Sequence, residues 1–188
     1  MVIVNSMWEK VLDALVASDS DVRALCALSS VAVFTLVPLV MVRNAYCFTV
    51  GYGASVAAMS LALLGSFGFD GTVAASYLAL ASALYGVRLA GFLLFRQLSV
   101  SGMDNQTKDF DEKISRLQAV PMAALLGVFY AFMVSPVLFA LRHAQLSAPT
   151  KTTTMQYAAV TLAFLGLIVE AVADQQKLLL KRRQGAVF

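Results

Sequence analysis

Polar positions are sparse along this chain and gather in clusters, leaving apolar windows with no charges beside one another. An α-helix rises about 1.5 Å per residue, so about 20 apolar residues cross the hydrocarbon core of a bilayer. Five windows of that kind lie at 22–42, 47–69, 72–98, 119–141 and 155–174. Each predicts a membrane-crossing helix. Ahead of them "MWEKVLDALV" at 7–16 places Trp8, Val11, Leu12 and Leu15 on one side, the pattern of a short amphipathic helix lying in the interface. The one long polar stretch is "SVSGMDNQTKDFDEKISR" at 99–116. No repeat at fixed spacing and no second domain is visible. The expected fold is therefore all-α, a polytopic bundle of five spans. It divides into an interfacial segment 1–21, a bundle 22–176 and a basic tail 177–188.

Composition strengthens the membrane reading. Hydrophobic residues make up 60% of the 188 and charged residues 13%, with a mean hydropathy of +0.77. A soluble domain carries about twice that share of charge. Small residues inside the windows, as in "GYGASVAAMS" and "AASYLALASAL", predict close helix–helix contact, because lipid offers helices no hydrophobic reason to associate.

Charge then orients the bundle. Glu9, Asp13, Asp19 and Asp21 precede the first window, unlike the basic start of a signal peptide, so that span is expected to be retained. Arg43, Arg96, Lys108, Lys113, Arg116, Lys177, Lys181, Arg182 and Arg183 fall on one side of the membrane. Lys10, Arg23, Arg142 and Lys151 fall on the other. The positive-inside bias puts the first group in the cytosol, with the N-terminus lumenal or outside. Asn105-Gln106-Thr107 fits the glycosylation pattern, but this orientation keeps it from the enzymes that would use it. The net charge of +3 follows from these flanks, and no nucleic-acid partner is inferred.

Several chemistries lack their residues. His143 is the only histidine, placed in a loop after the fourth window, so iron held on several histidines is excluded and no metal site is expected. Cys26 and Cys47 lack a C-x-x-C spacing and read as small packing residues. "GYGAS" is not a G-x-S-x-G elbow, and no Walker or dinucleotide-type glycine fingerprint occurs.

What is left is a handful of ionisable groups inside spans, each costing about 2.5–3.5 kcal/mol on insertion scales. Arg88 in the third window lies roughly 15 Å from the cytosolic end. Tyr85 precedes it by three residues and Arg96 follows by eight, on one side of the helix. In the fifth window Glu170, Asp174, Lys177 and Lys181 are spaced by four, three and four and form one polar stripe. Lys177, Arg182 and Arg183 read as ordinary basic anchors. The two acids do not, since anchors beside an anionic leaflet are basic; they are expected to bond something specific, such as Arg88 and Arg96.

The stretch "GLIVEAVADQQK" resembles the acidic helix G-L-x-x-E-x-x-A-D-x-Q-K of the membrane reductase family that includes steroid 5-alpha reductases and their DUF1295-type bacterial relatives. "YGVRLAGFLLFR" resembles the family's aromatic-G-x-R-L segment, "SGMDNQTKDF" its next polar loop, "FYAFMVSPVLFAL" the span after that, and "RNAYCFTVGYGASVAAM" an early span of some eukaryotic members. The resemblance covers about 43–183. It implies a multi-span enzyme that binds NADPH from the cytosolic side and sends hydride to a carbon–carbon double bond conjugated to a carbonyl, in a lipid or sterol-like substrate. Carried over, it implies Glu170, Asp174 and Lys181 as cofactor ligands, Tyr85 as the donor that polarises the substrate carbonyl, and Arg88 and Arg96 facing the phosphates. It also implies residence in the endoplasmic reticulum or another endomembrane.

The chain departs from that family in two places. After its acidic helix the family continues through two spans to an R-H-P-N-Y-x-G-E motif, whereas this sequence runs out at "KRRQGAVF", the expectation being a chain without that C-terminal part. The steroid branch also carries an acidic or amide partner for its tyrosine on an earlier span, and 47–69 offers none. Two readings stay open: a reductase-family protein acting on CH–CH groups, or a non-catalytic accessory subunit packed against other membrane subunits. A transporter fits less well, since the windows show no inverted repeat.

Overall fold

The computed structural model describes residues 2–17, 20–70, 73–99, 115–146 and 154–183. The Asn105 pattern and most of the polar loop lie outside them. The described residues form α1 (Val2–Val16), α2 (Asp21–Val42), a short 3-10 turn (Asn44–Cys47), α3 (Val50–Phe67), α4 (Ala74–Ser99), α5 (Arg116–Leu146) and α6 (Thr154–Arg183), with no strand among them. Helices α2 to α6 are long and apolar enough to cross a membrane, one for each window. The protein is all-helical and of the integral membrane class.

The helices outrun the windows, because polarity ends an apolar run without ending a helix. Past Asp174 come Gln, Lys, Leu and Arg, all good helix formers, and α6 continues to Arg183. The same holds for α5, so His143 sits exposed in its last turn rather than in a loop. The second window shows the reverse. Polar Arg43 and Asn44 break the run; Arg43 is extended, the chain makes its 3-10 turn, and α3 starts only at Val50. Cys47 of that turn is buried as expected, but Cys26 is exposed on α2. Pro136 inside α5 lacks the N–H that would bond the Phe132 carbonyl, and the Ser135 hydroxyl donates to that carbonyl instead, at 2.8 Å.

Two helix pairs make the core: α3 against α4 and α2 against α5, with α3 also touching α2 and α5. Leu28, Leu36, Met59, Leu63 and Leu138 fill the space between them and are fully buried. The α3–α4 crossing is backbone to backbone. A Cβ on Gly53 would lie 2.6 Å from the Ala90 nitrogen, and one on Gly86 would strike the Ala57 nitrogen. Only glycine permits that approach, as the small-residue stretches predicted.

Helix α1 packs on α2, with the Trp8 ring edge-on to Phe34 at 5.0 Å and Leu15 buried. Arg142, read from sequence as a flanking cation, is a buried tie instead. Its Nη1 donates to the carbonyls of Leu15 (3.2 Å) and Ala17 (2.9 Å), and its Nη2 pairs with Asp21 at 3.3 Å. One guanidinium thus ends α1, starts α2 and fixes both to α5. Helix α6 stands at the edge, packed against α4 with most of its surface outside the bundle.

Candidate functional site

Helices α4 and α6 run in the same direction, as the third and fifth spans of an alternating bundle must. Residues of rising number face one another: Leu78 to Tyr85 along α4 meet Ala163 to Glu170 along α6, and Arg88 meets Glu170 and Asp174. The four-residue spacing of the two acids puts both on the α6 face turned to α4. Arg88 Nη1 donates to Asp174 Oδ2 at 3.0 Å, and Nη2 lies 3.1 Å from Glu170 Oε1 as an ion pair without hydrogen-bond alignment. The predicted meeting of the acids with a buried arginine is therefore present for Arg88. The Arg88 side chain is 21% exposed, Asp174 27% and Glu170 41%. Formally, one cation faces two anions.

Tyr85 lies one turn before Arg88 on the same face, with the guanidinium carbon 6.0 Å from its ring centre. Its hydroxyl is 3.5 Å from that of Tyr52 on α3, and either can be the donor. Tyr52 is the residue that sequence reasoning missed. Residues 47–69 hold no acid or amide, and the partner is a second phenol. Its place between Gly51 and Gly53 was the available signal, since glycines mark where neighbouring helices come close. Tyr52 in turn packs on Tyr130 of α5, ring centres 5.1 Å apart, and the Tyr130 hydroxyl donates to the Cys47 carbonyl at 3.0 Å. Two tyrosines from two other helices thus hold the Tyr85 hydroxyl in position.

Arg96 lies eight residues beyond Arg88, away from the two acids. Its guanidinium sits over Phe92, 6.0 Å from the ring centre, and its buried Nε has no hydrogen-bond partner among the described residues. Lys177 is exposed on α6. Lys181 is within α6 near its basic end, at the same end of the bundle as Arg96; its side chain is outside the described residues.

Between α4 and α6 lies an open cavity of about 270 Å³, walled by Leu78, Ala81, Ser82, Ala163, Gly166 and Leu167, and ending at Tyr85 and Glu170. It exists because its walls are small. A Cβ added to Gly166 would meet nothing within 4 Å. The arrangement provides a hydrogen-bonding phenol, two carboxylates steadied by one guanidinium, and an apolar slot beside them.

No curated protein and no solved structure matches this chain. The model of one protein family, described as "Protein of unknown function (DUF1295)", matches residues 34–186, from within α2 to beyond the described end of α6. That match takes in Tyr52, Tyr85, Arg88, Glu170 and Asp174, and the chain belongs to the DUF1295 family.

Proposed function

We propose that this protein serves the NADPH-dependent reduction of a carbon–carbon double bond conjugated to a carbonyl, in a lipid or sterol-like substrate, as its resemblance to steroid 5-alpha reductases implies. The observation that carries the reading is the Arg88 bridge to Glu170 and Asp174, set one turn from Tyr85 at the end of an apolar slot. The proposed orientation has the basic end of the bundle in the cytosol, and the proposed compartment is the endoplasmic reticulum.

The residues fit the cofactor in kind. Glu170 and Asp174 are acceptors suited to ribose hydroxyls and an amide N–H₂, and Arg96, whose buried Nε has no hydrogen-bond partner among the described residues, lies with Lys181 toward the basic end, where phosphates would need cations. When bound, NADPH supplies the hydride. The chain's own part is electrostatic. The Tyr85 hydroxyl donates to the substrate carbonyl oxygen, where enolate charge builds, and a water-poor slot makes that bond worth more than it is in water. Tyr52 holds the Tyr85 hydroxyl in position, and Arg88 keeps the two carboxylates from repelling each other. A second reading, a non-catalytic accessory subunit, is favoured by α6, whose Leu162, Leu165, Val169 and Val172 face outward, open to another subunit as readily as to lipid.

NADPH titrated into the purified protein in detergent separates the two. The reductase reading expects saturable binding, weakened about tenfold or more by Asp174→Asn and by Arg88→Ala, because a charge-assisted hydrogen bond is worth about 1.5–3 kcal/mol. No binding to the parent protein would favour the accessory role. Equal binding in parent and variants would remove these residues from the site.

A further inference from the structure

We propose that the slot between α4 and α6 admits, sideways from the bilayer, a single-chain lipid bearing an uncharged carbonyl or hydroxyl group, and that it rejects the corresponding fatty acid. The proposal rests on the reading of Tyr85 given above. It is tested without cofactor or turnover, so that the two can fail separately.

Shape argues for one chain. The walls run from Leu78 to Tyr85 and from Ala163 to Glu170, seven residue steps on each helix, which is roughly 10 Å along the membrane normal. About 270 Å³ spread over roughly 10 Å leaves a cross-section of roughly 27 Å² beside Ala81, Ser82, Ala163 and Gly166, room for one extended chain. A chain lying there is parallel to its neighbours in the bilayer, and the fused rings of a sterol are too broad.

Charge argues for a neutral head. Glu170 is paired with Arg88, which lies roughly 15 Å inside the end of the third window, so the carboxylate sits at a similar depth. A carboxylate 41% exposed at that depth is costly against hydrocarbon, so its open side calls for a hydrogen-bond donor or water. An alcohol donates to Glu170, and an alcohol or a ketone accepts from Tyr85. A lipid carboxylate would instead add a third anion to a cluster whose one guanidinium already faces two.

The test uses a long-chain alcohol and the matching fatty acid, each with a photoactivatable group in mid-chain, and the purified protein in detergent. The alcohol is expected to label residues within 78–85 or 163–170, saturably. The acid is expected to label there weakly, and a sterol is expected not to compete. Gly166→Leu builds into the slot from a position where an added Cβ meets nothing within 4 Å, and should cut labelling about tenfold. Gly91→Leu, on α4 but outside the slot and equally free of neighbours, should not change it. Glu170→Gln removes one anion and should raise labelling by the acid. Equal labelling of the unaltered protein by acid and alcohol, effective competition by the sterol, or full labelling of the Gly166→Leu protein would each overturn the proposal. The comparison of acid with alcohol needs no variant, so a substitution that fails to fold leaves the test intact.

Discussion

Arg88 shows what a single charged side chain can organise inside a membrane. A guanidinium at mid-span is tolerated because it meets Glu170 and Asp174 from a helix that otherwise barely touches the bundle. Arg88→Met removes the cation but keeps the charges it neutralised. We expect a loss of about 2 kcal/mol in thermal unfolding in detergent, below the 3–5 kcal/mol of a fully buried pair because both carboxylates are partly exposed. Adding Glu170→Gln and Asp174→Asn to that variant should recover most of the loss. A triple variant no more stable than Arg88→Met would show that the unneutralised carboxylates are not the source of the loss. This trio was legible in the sequence, since the i, i+4 spacing of two acids in an apolar helix requires a partner. Tyr52 was legible only through the glycines on either side of it, because a phenol in a small-residue span has no signature of its own.

At the scale of elements, glycine positions with the same residue have opposite meanings. Gly86 lets α3 and α4 touch through their backbones, whereas Gly91, five residues on, has no neighbour within 4 Å of the place a Cβ would take. Gly86→Ala must part the two helices and is expected to cost about 1–3 kcal/mol in thermal unfolding in detergent. Gly91→Ala should be neutral or slightly stabilising, by up to about 1 kcal/mol of helix propensity. If both variants unfold alike, the close crossing is not what joins α3 to α4. Window reading found all five spanning helices and misplaced their ends, since it measures the membrane's thickness and a helix stops only where its backbone does.

For the whole molecule, the pairs α2/α5 and α3/α4 form a body to which α1 is fixed by Arg142 and α6 by Arg88. Arg43, Arg96 and Lys177 lie at one end of it and Arg142 at the other. If the first end faces the cytosol, as the distribution of cations leads us to propose, Asn105 stays unmodified when the protein is made in a eukaryotic cell. The mobility of the protein on a gel before and after a glycosidase checks this, and a sugar chain on Asn105 would reverse the orientation.

Composition and hydrophobic spacing alone determined that this chain is an all-helical bundle of five spans, because lipid leaves the backbone no other way to satisfy its hydrogen bonds. They also marked Tyr85, Arg88, Glu170 and Asp174, since charge and polarity within hydrocarbon cost too much to be idle. Only the tertiary structure decided that Arg88 rather than Arg96 meets the acids, that Tyr52 backs Tyr85, and that an apolar slot opens beside them. Those are facts of which helix neighbours which, and spacing within one helix gives the face of a residue but not what stands opposite.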